Sequence, residues 1–348
     1  MHTNVRLRLS YYVLGIISIT LATAGCKPQG PSVSQAARQT ILVYGFSVEE
    51  EVLTKEIFPA FQAYWRQHAD QEVVFESVFA GSEEITQAIL DGAGADVAIL
   101  SNEQHAIWLR INGFVTTDWH SLPHQGILSR SPLVIAVRPG NPLGIADWAD
   151  LARPGVRVVH ADPGSSGGAQ WALLAEYGSA YLIDQDRNFG EQQVPDIWGN
   201  VVSRPISARD ALQEFVFGVG DALATYEQDA MLAQARGAAI EIVMPPSTIQ
   251  SEHVAVMVDR NVDRWEQELV SAFVSYLWSE EAQQALAAYF FRPAVEVAFD
   301  SLAHDPSQPS ALRVQEIERP FTVEDLGGWG RVYPEVIRDI WERQLAPR

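Results

Sequence analysis

Asp162-Pro163-Gly164-Ser165-Ser166-Gly167-Gly168-Ala169-Gln170-Trp171 is the stretch on which the fold turns. Ahead of it Val156-Arg157-Val158-Val159-His160 reads as a strand, and behind it residues 168–177 read as a helix. Small residues between a strand and a helix leave bare backbone N–H groups at a helix N-terminus. Those first amides have no intrahelical acceptor and lie at the positive end of the helix dipole, about half an elementary charge, a geometry that attracts anions. An ordinary strand-to-helix turn with a serine N-cap fits the same residues. The rest of the chain has to decide between the two.

Outward from this stretch, strand and helix signals alternate almost throughout, the pattern of an α/β fold with mainly parallel sheets. Residues 41–46, 72–78, 95–100 and 133–137 read as strands, and residues 48–67 and 83–90 as helices. A helix near 145–152, a strand near Val201 and a helix over 208–217 follow. Residues 265–278 and 280–291 carry apolar residues at helical spacing and read as packing helices. Gly327-Gly328-Trp329 reads as a turn with a core anchor.

Two segments echo each other. Gly94-Ala95-Asp96-Val97-Ala98-Ile99-Leu100 and Val219-Gly220-Asp221-Ala222-Leu223-Ala224-Thr225-Tyr226 each place Gly and Asp before an apolar strand. The expectation is two lobes built alike: residues 40–130 plus 252–348 as a discontinuous lobe 1, and 131–251 as lobe 2. β crossings around 131–137 and 253–259 would join them. In such pairs ligands sit at the C-terminal ends of strands, in the crevice between lobes.

Three loops can reach one crevice: Phe79-Ala80-Gly81-Ser82, Ser165-Ser166-Gly167-Gly168 and Ile206-Ser207-Ala208-Arg209. Each opens a helix, so together they form a cage of donors with few acceptors. Ser82 is either a ligand donor or a simple N-cap. Tyr226, ending its strand on the same crevice, is either a hydroxyl donor or a core aromatic with a wet tip.

The 348 residues are 47% apolar and 20% charged, enough for two globular lobes. With 24 basic against 44 acidic residues the formal charge is −20, which excludes nucleic acid as a partner. It does not exclude a small anion, because surface charge is screened over about 8 Å at physiological salt. A site of aimed dipoles depends on local geometry, and each charge-assisted hydrogen bond contributes about 1.5–3 kcal/mol. Eight histidines are scattered, with no pair at metal-ligand spacing on one element, and there is one cysteine, so no metal, no cofactor and no internal disulfide is expected.

The N-terminus reads as an export signal, with Arg6 and Arg8 before an apolar core over residues 11–24 and small residues leading to Cys26. The Ala24-Gly25-Cys26 ending resembles a bacterial lipoprotein processing site. That resemblance implies removal of residues 1–25 and lipid on the Cys26 sulfur, with Thr23 departing from its usual Leu. Residues 26–39, rich in Pro, Gly, Ser and Gln, then read as a flexible tether. A lipid anchor is the expected membrane contact, at the periplasm or cell surface.

Taken in order, Ala80-Gly81-Ser82, Ala95-Asp96-Val97, Arg138-Pro139-Gly140-Asn141-Pro142, Asp147-Trp148-Ala149-Asp150-Leu151, Ser165 to Trp171, Gly220-Asp221, Tyr226-Glu227, Phe291-Arg292-Pro293 and residues 321–329 resemble the sulfate/thiosulfate class of periplasmic solute-binding proteins. The resemblance spans roughly residues 41–329. It implies two Rossmann-like α/β lobes (periplasmic binding protein type II-like) closing on a dehydrated oxyanion, no catalysis, and a monomer that delivers its ligand to the permease of an ABC transporter. The family's anion-contacting positions match Ser82, Ser166, Gly167, Gly168 and Ala208. Sulfate or thiosulfate is the first expectation, with phosphate, molybdate or tungstate, or a sensory role, as alternatives.

Departures from the family pattern accompany it. Tyr44-Gly45-Phe46-Ser47-Val48 followed by three glutamates replaces a Ser-Tyr-Asp type turn, Glu83 and Glu84 follow Ser82, Asp210-Ala211 replace Gly and Ser/Thr, and Tyr226 stands where Trp is usual. The acids suit the first turn of a helix. Were Asp210 to face the ligand, it would favour a protonated oxyanion such as phosphate. The rival from another class is a serine hydrolase: Gly164-Ser165-Ser166-Gly167-Gly168 satisfies Gly-x-Ser-x-Gly, with Asp221 or Asp229 and His253 following in order. Asp162-Pro163-Gly164 separates strand from serine, where a nucleophile elbow turns directly off the strand.

Overall fold

In the computed structural model the described residues are 39–295 and 314–346. The proposed signal, Cys26 and residues 27–38 of the tether lie outside them, whereas Gln39, the last residue assigned to the tether, opens the first strand. One continuous hydrogen-bonded sheet runs β2-β1-β3-β9-β4-β7-β5-β6. Its strands include β1 (Gln39–Phe46), β2 (Val73–Ala80), β3 (Val97–Leu100), β4 (Ile127–Val137), β5 (Val158–Val159), β6 (Val201–Ser203), β7 (Ala222–Tyr226), β8 (Glu241–Val243) and β9 (Ser247–Met257). The helices that bear on the site are α1 (Phe58–Ala69), α2 (Ser82–Leu90), α3 (Glu103–Ile111), α4 (Gly167–Asp184), α5 (Arg187–Trp198), α6 (Ala208–Val216) and α7 (Glu227–Ala235).

The sheet is built from two halves with the same plan. β1 runs parallel to β2 and β3, and β3 is antiparallel to β9. In the other half β5 runs parallel to β6 and β7, and β7 is antiparallel to β4. β4 and β9 are long because each serves both halves. Residues 127–132 of β4 pair with β9, and residues 133–137 with β7. The β crossings expected from the sequence are these two strands.

The echo between the two Gly-Asp segments has a structural cause. Asp96 Oδ2 accepts from the Leu42 amide at 2.8 Å while the Asp96 amide donates to Leu42 O. Asp221 Oδ2 accepts from the Arg157 amide at 3.1 Å while the Asp221 amide donates to Arg157 O. In each half an aspartate just before the inner strand clamps its parallel neighbour, satisfying amides the short ladder leaves unpaired. The clamp fixes register, so the strand ends that carry the site are placed by a carboxylate some distance behind them.

Helices cover both faces. Ile85 and Ile89 of α2 pack with Ala98, Leu100, Leu109, Val254 and Val256. Leu212 and Phe215 of α6 pack with Val134, Ala136, Val159 and Leu223. The two small cores are counterparts, one per half. A larger core joins Phe61, Trp148, Trp171, Phe273, Trp329 and Trp341. Gly327 and Gly328 take positive φ (95° and 78°), and Trp329 is buried edge-on against Trp171 with ring centroids 5.0 Å apart, the turn-plus-anchor expected there.

Several local expectations shift. The helix expected over 145–152 is one 3-10 segment, Trp148–Ala152, opened by an Asp147–Asp150 capping box. The long helix after β1 begins with 3-10 and π turns before α1. Three of these helices were not anticipated: α5, which keeps Pro195 inside it, α7, which follows β7 without a break, and α3, whose residues read as irregular.

Candidate anion-binding site

The site grows from strand ends. Three strands run from their C-terminal residues almost directly into helices: β2 into α2, β3 into α3 through Ser101-Asn102, and β7 into α7 at Tyr226. The loop after β5 leads to α4, and the loop after β6 to α6. Their N-termini converge, and three glycines show how closely. A Cβ on Gly81 would penetrate the Ser165 carbonyl and lie 3.0 Å from Ile206 O. One on Gly167 would collide with Ser101 Oγ and lie 3.1 Å from Asn102 Nδ2 and His105 Cε1, and one on Gly168 would lie 2.8 Å from the Tyr226 ring and 3.2 Å from Ala208 Cβ. Ordinary carbon contacts need about 3.5 Å or more, so only glycine fits.

The three predicted loops therefore do meet. Ser165 O accepts from the Glu83 and Glu84 amides at 3.1 and 3.2 Å, and Ser165 Oγ donates to Ile206 O at 2.6 Å. The amides of Gly167 and Gly168 open α4, and those of Ala208 and Arg209 open α6, so none has an acceptor within its own helix. The side chains divide differently from the sequence expectation. Ser166 is buried, and its Oγ accepts from the Ala169 amide at 3.3 Å as the N-cap of α4. Ser82 is not a cap; Gly81 holds that position.

Instead, Ser82 Oγ lies 2.8 Å from His105 Nδ1 and accepts from the Ser101 amide at 3.0 Å. His105 Nε2 lies 2.9 Å from Glu83 Oε2, which also accepts from Gln170 Nε2 at 2.9 Å. Asn102 caps α3 and donates to Gln170 Oε1 at 3.0 Å. Ser101, Asn102, His105 and Gln170 were missed. The signal was present in Leu100-Ser101-Asn102-Glu103, a strand end followed by an Asn N-cap and an acid.

Two buried hydroxyls flank the paired glycines. Ser101 Oγ and Tyr226 Oη interact electrostatically, yet neither makes a hydrogen bond of good geometry. Burial drives the Tyr226 phenol upward from its ordinary value, so it keeps its proton and remains a donor. Beneath it, burial pushes the Glu49 carboxyl up to about 8, the Ser129 hydroxyl only partly opposing, and holds His253 down at about 3, with Arg130 adding to the effect. His253 lies on β9 with Ser129 Oγ at 2.9 Å and Ser251 Oγ at 3.1 Å.

Those partners separate the components of the hydrolase reading. Ser166 serves as a cap, His253 meets other serines, Asp221 pairs with Arg157, and Asp229 lies 3.0 Å from Arg209. Asp210 turns back to its own helix start, where Oδ2 accepts from Ser207 Oγ at 2.6 Å. His160, held by Ala161 O and the Trp198 ring, is a strand-end residue. Among the described residues no cluster of three His, Cys, Asp or Glu side chains suits a metal, and no helix is long and apolar enough to cross a membrane.

Known proteins share this sequence and architecture. A family model described as bacterial extracellular solute-binding protein matches residues 51–292. A sulfate-binding protein of Synechococcus elongatus is 34% identical over 323 residues, covering 92% of this chain and 90% of that protein. A thiosulfate-binding protein of Pseudomonas aeruginosa is 30% identical, covering 80% and 84%. The solved structure of the sulfate-binding protein SubI from Mycobacterium tuberculosis superposes with a TM-score of 0.75 at 31% identity, covering 85% of this chain and 99% of that one.

Proposed function

The chain belongs to the bacterial extracellular solute-binding proteins, in their sulfate/thiosulfate class, and from that premise we propose that it captures a tetrahedral oxyanion and delivers it to an ABC transporter. The observation that carries the reading is the pairing of free helix-start amides at Gly167, Gly168 and Ala208 with the buried hydroxyls of Ser101 and Tyr226. An oxyanion offers acceptors in several directions and no donor when fully ionised, which matches a cage of donors. Binding there is worth about 1.5–3 kcal/mol per bond, strengthened where water is excluded.

Ligand contacts in this reading are Ser82, Ser166, Gly167, Gly168, Ala208 and Tyr226; Ser166 Oγ accepts from the Ala169 amide as the α4 cap and keeps its own proton to donate. Sulfate and thiosulfate rank ahead of phosphate because Asp210, the acceptor that would favour a protonated ligand, faces Ser207. Residues 40–130 with 252–348, and 131–251, are the two lobes that close on the anion, hinged on β4 and β9. The protein works as a monomer outside the cytoplasm, anchored through lipid on Cys26, and performs no chemistry on its ligand. Calorimetric titration with sulfate tests the binding, and mass analysis of the N-terminal peptide tests the lipid. A sulfate titration without heat or thermal protection would remove the reading.

A further inference from the structure

Gln170 is buried on the first turn of α4, two residues past the paired glycines, and both polar atoms of its side chain are engaged. Nε2 donates to Pro163 O at 3.1 Å and to Glu83 Oε2 at 2.9 Å, while Oε1 accepts from Asn102 Nδ2 at 3.0 Å. Pro163 belongs to the same half as Gln170. Glu83 at the start of α2 and Asn102 ahead of α3 belong to the other half. Two of the three bonds therefore cross the crevice.

The polarity of this pairing is fixed from both ends. Asn102 Oδ1 accepts from the His105 amide at 3.2 Å as the cap of α3, so Nδ2 is the atom that reaches Gln170. The Pro163 carbonyl and the Glu83 carboxylate each take a donor, so Nε2 faces them and Oε1 faces Asn102. Turning either amide over would set acceptor against acceptor. Pro163 O lies on the loop that leads into α4, so it holds the Gln170 amide in this orientation without help from the other half. The neighbouring residue strengthens the joint. Trp171 Nε1 donates to Ser101 O at 2.5 Å, so successive side chains of α4 grip the Ser101-Asn102 corner. A Cβ on Gly167 would meet Ser101 Oγ and Asn102 Nδ2, which shows how closely that corner rests on the α4 start. Ser101 Oγ is one of the two buried hydroxyls of the donor cage, and it reaches its place beside Gly167 only when the halves are docked here.

We propose that Gln170 is a positioning residue that clasps the crevice shut: paired with Asn102, it docks the Ser101-Asn102 corner on α4, completes the donor cage around the anion and slows its escape. The inference rests on the proposed function, in which the two halves close on an oxyanion. Gln170 touches no ligand in this account. Its amide is uncharged and its one acceptor is spent on Asn102, so the clasp brings neither a counter-ion nor a competing acceptor to the cage. Bonds that form after capture act on dissociation rather than on encounter.

The test is sulfate binding to the full chain in wild type, Asn102→Ser, Gln170→Leu and the double variant. Affinity is read by calorimetry, rates by stopped-flow tryptophan fluorescence, and stability by melting without ligand. Serine still caps α3 but is too short to reach Gln170. Leucine fills similar space without the amide. Asn102→Ser should weaken sulfate binding about 3–10-fold, the worth of one neutral hydrogen bond, through faster dissociation with an unchanged association rate and unliganded midpoint. Gln170→Leu also loses the bond to the Glu83 carboxylate and should weaken binding at least about tenfold. Adding Asn102→Ser to Gln170→Leu should cost no more than about twofold further, because the partner is already gone. Residues that merely pack would lower the midpoint without ligand, and their losses in affinity would multiply in the double variant; that pattern overturns the inference. Native affinity in both single variants overturns it too and leaves the proposed function standing. A wild type that binds no sulfate overturns both.

Discussion

Gly81→Ala isolates the meeting of the loops from the stability of the fold. Gly81 has φ −61° and ψ 140°, values alanine adopts without strain, so the added methyl is the whole perturbation. In the structure that methyl would lie 2.8 Å from the Ser165 carbonyl carbon and 3.0 Å from Ile206 O, both backbone atoms that no rotamer change can move. The loop of residues 162–168 has to retreat by roughly an ångström to restore ordinary contact. The bonds from the Glu83 and Glu84 amides to Ser165 O, at 3.1 and 3.2 Å, go with it. At about 0.5–1.5 kcal/mol each, their loss is worth about 1–3 kcal/mol. That converts to roughly 5–150-fold in affinity. If the two halves part when the ligand leaves, the open chain has room for the methyl, and the cost falls on binding alone. The assay pairs sulfate titration with thermal unfolding in the absence of ligand. Weakened binding with an unchanged midpoint is expected. Native affinity would refute the reasoning, and a lowered midpoint without ligand would show that these loops are permanently packed.

Three further outcomes follow from particular contacts. Tyr226→Phe removes a buried hydroxyl that lacks a good partner, so the free protein should keep or slightly gain stability while oxyanion affinity falls about 10–100-fold, read by melting and titration. Arg292→Met strands Glu227, now held by Arg292 Nε and Nη2 at 2.8 and 3.0 Å, and should cost about 3–5 kcal/mol, visible as a lower midpoint in urea. Glu49 holds a proton in the fold up to about pH 8 against an ordinary 4.5, so from pH 4.5 to 8 the folded chain binds a proton the unfolded chain has released, and stability falls as pH rises. Glu49→Gln should erase roughly 4–5 kcal/mol of that decline in chemical denaturation, the shift converted at about 1.4 kcal/mol per unit; His253, kept neutral, lowers stability below about 6.5 in both proteins and cancels in the difference.

Much of the fold was legible because its signals are local. The Gly-Asp pairs ahead of two apolar strands marked the two halves, and their shared cause is a side-chain clamp on a neighbouring strand. The loops at Gly81, Gly167 and Ala208 were legible as helix starts because small residues and caps announce them. His105 was not. It is an unremarkable residue in a weakly amphipathic helix, and its meaning comes from Ser82 and Glu83, more than twenty positions away. At Ser166 an N-cap serine and a ligand serine have the same local sequence, and the structure shows the cap. Glu49 was noticed only as part of an acidic run; its burial, beside Ser129 of β4, is set by tertiary packing that no local pattern encodes.

The central claim is that converging helix starts, without a metal or a paired cation, hold an oxyanion. The most direct measurement is calorimetric titration of the full chain with sulfate, beside a Gly168→Asp variant. An Asp side chain there meets the Tyr226 ring and brings an acceptor into a cage of donors. The account predicts saturable one-to-one sulfate binding in the wild type and none in the variant. Equal binding by both proteins would contradict it, and so would a wild-type chain that takes no sulfate.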